Sequence, residues 1–199
     1  MEHYYSKNPI SDLTENIIDW TINGIKLNFY TGSGVFSKNG IDFGSQLLVE
    51  AVFADYDVNT GTILDMGCGY GPIGLFLAAG LKETHIEMAD VNERGIEFAI
   101  KNIDLNKTKK AKAFVSDSFS AITRMYDAIV TNPPIRAGKK TVFSFYEGAY
   151  EHLKDKGAFY CVIQKKQGAD SSQKKLKELF GNCELINRKS GYRILKSIK

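Results

Sequence analysis

The sequence predicts an α/β protein: a doubly wound, mostly parallel sheet of seven strands with an antiparallel C-terminal strand, preceded by a small β-hairpin. Three observations predict it. From Thr62 onward, short apolar runs alternate with segments of helical period, the pattern of successive βαβ units. A cluster of glycines stands between the first of those runs and the first of those helices. Near the start, Asn23-Gly24 separates two β-type runs, and Asn-Gly supplies the positive φ values of a tight type I′ turn.

The hairpin strands are expected at residues 16–22 and 25–30, with residues 1–34 as an appendage and 35–199 as the main domain. A helix is expected over residues 42–56, where Leu47, Leu48, Ala51 and Val52 share one side. Residues 62–66 read as a buried strand, 72–79 as a short helix and 84–89 as the next strand. Residues 93–106 form a helix with Ile96, Ile100 and Ile103 as its apolar face. Strands follow at 112–115 and 126–131, and Val142, Tyr146, Ala149 and Leu153 mark another helix. Gly157 precedes a strand at 158–163, and a lysine-rich helix runs over 171–180. Residues 183–187 and 192–198 close the sheet as a pair around Ser190-Gly191. Right-handed crossovers place helices on both faces.

At 199 residues the chain can bury one sizeable core. No apolar run approaches the roughly 18 residues of a membrane span, and Met1 to Ser6 has neither the basic start nor the apolar stretch of a secretory signal. Cys68, Cys161 and Cys183 are scattered and odd in number, which fits a reducing cytoplasm and offers no Cys-x-x-Cys pair for zinc. No metal and no membrane partner is expected. Net charge is +3 but uneven: residues 165–199 hold ten Lys or Arg against three acids. A basic end on a weakly acidic body suits a polyanion, and equally a solvated lysine-rich helix face.

The sharpest motif is Asp65-Met66-Gly67-Cys68-Gly69-Tyr70-Gly71-Pro72-Ile73-Gly74. Glycines let the backbone turn tightly and approach a ligand without a Cβ in the way. The following helix aims free N–H groups at whatever lies over the loop. Residues 69–74 also match the G-x-G-x-x-G fingerprint of dinucleotide enzymes, so a nicotinamide oxidoreductase is a rival. Asp65 disfavours a pyrophosphate and suits the ammonium of a methionine-like cofactor. Asp90, ending the second strand about 20 residues on, is placed to accept from ribose hydroxyls. Cys68 reads as the small side chain the loop needs rather than a nucleophile, since no basic partner is evident.

The second motif ends a buried strand with Asn132-Pro133-Pro134-Ile135. Prolines fix φ and cannot donate, so the carbonyls of Asn132 and Pro133 are held outward. With the Asn132 side-chain oxygen they can accept from both hydrogens of an N–H₂ group and orient its lone pair. That is positioning plus electrostatic help, without a strong general base.

These residues carry a resemblance. Residues 65–74 resemble motif I of class I S-adenosylmethionine-dependent methyltransferases, Asp90 their ribose-binding acid, and Asp117-Ser118 the pair bordering the adenine. Asn132-Pro133-Pro134 is similar to the signature of amino-methyltransferases acting on adenine N6, guanine N2 or protein glutamine. Residues 34–48, 133–139 and 164–168 look like the methyltransferase small domain family, specifically the single-domain relatives of small-subunit ribosomal RNA guanine-N2 methyltransferases. The resemblance implies a Rossmann-like fold, S-adenosylmethionine as cofactor with S-adenosylhomocysteine as product, and ribosomal RNA or the small subunit as partner. It implies Gly67, Cys68, Gly69, Gly71, Val91, Asp117, Ser118 and Asn132 as cofactor contacts beside Asp65 and Asp90. Ile135 stands where the family carries an aromatic to stack on the target base, so either Phe36, Phe143 or Phe145 stacks instead or the ring is held by apolar packing. Arg136, Lys139 and Lys140 follow that loop as candidate phosphate contacts, with Lys165 and Lys166 after the next strand. A different acceptor, adenine N6 or a protein amide, and an RNA-binding role without catalysis are the other readings.

Overall fold

A computed structural model describes residues 15–35, 37, 40–56 and 60–199. The hairpin pairs β1 (Glu15–Ile22) with β2 (Ile25–Gly32) in antiparallel register, Ile22 opposite Ile25. Asn23 and Gly24 adopt φ values of 48° and 78°, as a type I′ turn requires. Ile22, Leu27 and Phe29 are buried in the core shared with the larger sheet.

The seven-stranded sheet comprises β3 (Gly61–Met66), β4 (Thr84–Asp90), β5 (Ala111–Val115), β6 (Tyr126–Thr131), β7 (Leu153–Gln164), β8 (Glu184–Lys189) and β9 (Tyr192–Ile198). Its order is β5-β4-β3-β6-β7-β9-β8, and only β9 runs against its neighbours. Helices α1 (Phe43–Asp55), α2 (Pro72–Gly80) and α3 (Glu93–Leu105) cover one face with the hairpin, and α4 (Lys139–His152) and α5 (Ala169–Phe180) cover the other. The pleat sorts the side chains. Ile63, Ala128, Val130, Tyr160 and Val162 point to the first face, while Leu64, Ile129, Phe159 and Cys161 point to the second. Both faces being covered explains why the central strands are continuously apolar. Among the described residues no helix is long and apolar enough to cross a membrane.

Two elements differ from expectation. Leu153 has helical spacing from Val142, but it starts β7 by pairing with Tyr126, and the strand reaches Ala158 through a register shift. Ile100 sits on the predicted apolar face of α3 yet is 46% exposed. The face that α3 turns inward carries Asn102, which is fully buried. Asn102 Oδ1 accepts from Tyr30 N at 2.6 Å, and its Nδ2 donates to Tyr30 O at 3.0 Å and to Tyr70 O at 2.9 Å. One turn on, Asn106 makes the same pair of bonds with Asn28 N and O, at 3.0 and 2.7 Å. The i, i+4 spacing on a helix nearly equals the i, i+2 spacing on a strand, so two amides match two successive outward-facing residues of β2.

Candidate functional site

β4 and β6 flank β3, and the chain leaves the ends of these strands toward opposite sides. That is the topological switch point, where α/β sheets bind ligands beyond the strands' carboxyl ends. A cavity of about 820 Å³ lies there.

Its floor is the glycine loop. Gly67 N and Cys68 N both donate to Ala89 O, at 2.8 and 3.1 Å. Gly69 N donates to Asp90 Oδ2 at 2.8 Å, and Asn92 N donates to Asp90 Oδ1 at 2.8 Å. The Asp90 carboxylate is thereby fixed at the rim by the backbone amides of Gly69 and Asn92, with Val91 N also bonding it. Burial pushes its carboxyl up from the usual range, against those amides. Gly69 has a φ of +57°, and a Cβ added there would meet no protein atom within 4 Å, so the space above the loop is open to a ligand.

Asp65 does not line this cavity. Its side chain is turned beneath the loop, where Oδ2 accepts from Gly74 N at 2.8 Å. Gly71, the N-cap of α2, has no side chain and Pro72 has no N–H. Asp65 therefore caps the helix from the strand below, serving an amide that a Ser or Asp at the N-cap would ordinarily serve. The side chain expected to face the cofactor's ammonium is engaged with Gly74 N beneath the loop rather than exposed on the cavity wall. Gly71, at φ +92° and packed toward Met88, likewise shapes the loop without lining the cavity. Cys68 does line it, and burial with the charges of Asp90 and Asp65 pushes its thiol well up. That shift disfavours the thiolate, the form that acts as a nucleophile.

Val91, Asp117 and Ser118 line the cavity beyond Asp90. The Asp117-Ser118 turn is held by Ser116, whose Oγ donates to Ser118 O at 2.6 Å and accepts from Ala121 N at 3.2 Å.

The opposite wall is the loop after β6. Thr131 Oγ1 donates to Met66 O at 2.7 Å, tying the end of β6 to β3. Asn132, Pro133, Pro134, Ile135 and Arg136 follow along the cavity before α4 begins. Asn132 Nδ2 donates to Asp42 Oδ2 at 3.1 Å and to Ser45 Oγ at 2.9 Å. Asp42 is also the N-cap of α1, accepting from Ser45 N at 3.2 Å. Sequence reasoning gave neither Asp42 nor Ser45 a part in the site. The capping spacing was visible, but the contact spans 90 residues to Asn132.

Of the aromatic substitutes for Ile135, Phe145 lines the cavity and Phe143 does not, while Phe36 lies outside the described residues. Tyr192, not anticipated, also lines it, with its ring 5.6 Å from that of Phe43. Lys139 and Lys140 are exposed outside the cavity at the start of α4. Lys139 Nζ stands 5.1 Å from the Phe143 ring centre, and Lys175 Nζ stands 5.7 Å from the same ring. Lys165 and Lys166 are exposed beside Gln167, which lines the cavity. Among the described residues no cluster of three His, Cys, Asp or Glu side chains could hold a metal.

This strand order, with its cavity at the switch point, defines a class I methyltransferase fold. The chain belongs to the methyltransferase small domain family, whose model matches residues 26–196, and the nicotinamide alternative left open by the glycine pattern is set aside. The chain is 45% identical over 200 residues to the uncharacterized protein YbxB of Bacillus subtilis (strain 168), across 100% of this chain and 98% of that relative. It is 38% identical over 138 residues to the ribosomal RNA small subunit methyltransferase C of Pseudoalteromonas atlantica, covering 66% of this chain and 38% of that one. Among solved structures it is similar to the T. thermophilus 16S rRNA N2 methyltransferase (RsmC) in complex with AdoMet and guanosine. That match has a TM-score of 0.86 and 28% identity over 96% of this chain and 52% of that one. The chain thus spans about half, or less, of the length of these named methyltransferases.

Proposed function

We propose that the protein transfers a methyl group from S-adenosylmethionine to the exocyclic N2 of a guanine in small-subunit ribosomal RNA, in the cytoplasm. The observation that carries the reading is the Asn132-Pro133-Pro134 loop standing across one cavity from the glycine loop and Asp90. Similarity to an enzyme described as a 16S rRNA N2 methyltransferase supports the choice of acceptor.

The cofactor is S-adenosylmethionine, and the residues present fit it. Asp90, held by Gly69 N and Asn92 N, accepts from the ribose hydroxyls. Asp117 and Ser118 border the adenine with Val91. The open backbone from Gly67 to Gly69, with Cys68 between, admits the methionine part. When bound, the cofactor would supply an electrophilic methyl to the acceptor nitrogen and would leave as its thioether, the nitrogen's proton passing to solvent. Asn132 Oδ1 and the rigid carbonyls of Asn132 and Pro133 accept from the N–H₂ group. They orient its lone pair and stabilise the positive charge that develops on nitrogen. Ile135 and Phe145 offer apolar packing to the ring, and Arg136 with Lys139 and Lys140 receives the flanking phosphates.

Incubation with labelled S-adenosylmethionine and either naked small-subunit RNA or assembled subunits, followed by mass spectrometry of the nucleosides, tests this directly. N2-methylguanine is expected. Label in adenine N6 or in protein would overturn the acceptor. Asn132→Ala should lower turnover by about 10²–10³-fold while S-adenosylmethionine affinity stays within about threefold.

A further inference from the structure

We infer that Asp42 and Ser45 are positioning residues: they clamp both hydrogens of the Asn132 amide and so fix its oxygen toward the acceptor nitrogen. The inference rests on the acceptor role of Asn132 proposed above and extends it to two residues from a distant part of the chain.

A free asparagine side chain can present either end of its amide, and the two ends have opposite effects on an incoming amine. The oxygen accepts from N–H₂, whereas the amide nitrogen would only oppose it. Here the orientation is chosen chemically. A carboxylate oxygen accepts and cannot donate, so the group facing Asp42 Oδ2 at 3.1 Å must be Nδ2. Ser45 Oγ takes the second hydrogen at 2.9 Å. With both N–H groups engaged, no described residue donates to Oδ1, which lies on the far side of the planar group.

The clamp is rigid for local reasons. Asp42 Oδ2 also accepts from Ser45 N as the cap of α1, so the carboxylate is tied to the first turn. Gly44 makes that close fit possible, since a Cβ there would lie 2.9 Å from Asp42 Oδ2 and 2.8 Å from the Tyr192 ring. Donation to a carboxylate also polarises the amide, raising the negative charge on Oδ1 as the acceptor nitrogen becomes positive. Asp42, which lines the cavity beside Asn132, thus supplies both orientation and electrostatic reinforcement through the Asn132 amide.

The variant Asp42→Ser separates positioning from capping. Serine caps helices about as well as aspartate, but its hydroxyl is one carbon closer to the backbone and does not reach Asn132 while it caps. Expected is a fall in kcat of about tenfold or more, with S-adenosylmethionine affinity within about threefold and unchanged thermal stability. Asp42→Asn, which keeps one acceptor oxygen, should recover part of the loss. In an Asn132→Ala background, Asp42→Ser should cost nothing further, because its target is gone. A readout independent of activity is the Asn132 side-chain amide signal in ¹⁵N–¹H spectra, assigned by its disappearance in Asn132→Ala. Its two protons should exchange slowly in the wild type and about tenfold faster in Asp42→Ser or Ser45→Ala.

If Asn132→Ala slows turnover and Asp42→Ser does not, the positioning role fails while the acceptor reading stands. Unchanged turnover in Asn132→Ala sinks that reading itself. Wild-type amide protons that exchange as in a free asparagine would refute the clamp, and a more than tenfold loss of S-adenosylmethionine affinity in Asp42→Ser would make Asp42 a cofactor ligand instead.

Discussion

Replacing Asp65 by asparagine measures what it costs to hold a carboxyl beneath the glycine loop. The side chain is fully buried, one oxygen accepts from Gly74 N, and the other has no partner. Burial, chiefly, and the nearby charge of Asp90 raise its pKa from 3.8 to about 7, against the pull of the Gly74 amide. The folded protein therefore keeps a proton that the unfolded chain has already released. The associated stability is fully present below about pH 4 and is lost as pH rises through about 7. A shift of roughly three units, at about 1.4 kcal/mol each, sets the loss near 4 kcal/mol above pH 8. An asparagine in its place would keep an oxygen for Gly74 N and would not titrate. Urea unfolding between pH 5 and 8.5 should show wild-type stability falling by about 2.5–3 kcal/mol more than in Asp65→Asn, the rest of the loss falling below pH 5. Asp90, raised in the same direction, stays in both proteins and largely cancels in the difference. Parallel pH profiles for the two proteins would refute the reasoning.

Asp90→Ala should weaken S-adenosylmethionine binding by about 1.5–3 kcal/mol by calorimetry, as for removal of a charged hydrogen-bond partner; wild-type affinity would remove Asp90 from the ribose site. Neutralising Lys139 and Lys140 should lower the salt slope of RNA binding by up to about 0.7–0.9 for each phosphate they engage. Lys174 and Lys175 on α5 are already paired with Glu178 and Glu147 and should matter much less; equal effects at every lysine would mean diffuse attraction. Asn102→Ala, which strands buried backbone groups of Tyr30 and Tyr70, should destabilise the fold by about 2–4 kcal/mol in urea. A change under about 1 kcal/mol would mean the backbone groups find other partners.

The order of strands and helices was legible because central strands buried on both faces are continuous apolar runs, punctuated here by glycine and proline. Leu153 misled for a physical reason: helical spacing records where a side chain could face, and pairing with Tyr126 decides where the helix stops. Ile100 and Asn102 show the complementary limit. A count of apolar residues cannot detect a polar side chain buried for its hydrogen bonds. Gly67 to Gly69, Asp90 and Asn132 were legible because each motif is contiguous and ends a strand. The direction of the Asp65 side chain was not, since it depends on how α2 docks above β3. Asp42 and Ser45 were out of reach because α1 and the loop after β6 meet only once the sheet has assembled.

The two amides of α3 along β2 have a further consequence. A two-stranded sheet leaves unpaired N–H and C=O groups along its outer sides, and such a side is a template for strands of other chains. Asn102 and Asn106 occupy that template on β2 with side chains rather than with a third strand, and side chains on a helix offer a newcomer no ladder to extend. On the β2 side, the surface that would otherwise invite intermolecular β-association is closed off from within. Because Asn102 also holds Tyr70 O, one asparagine both closes that edge and steadies the turn of the glycine loop. A hairpin that came loose would free an adhesive edge and loosen the cofactor loop in the same event.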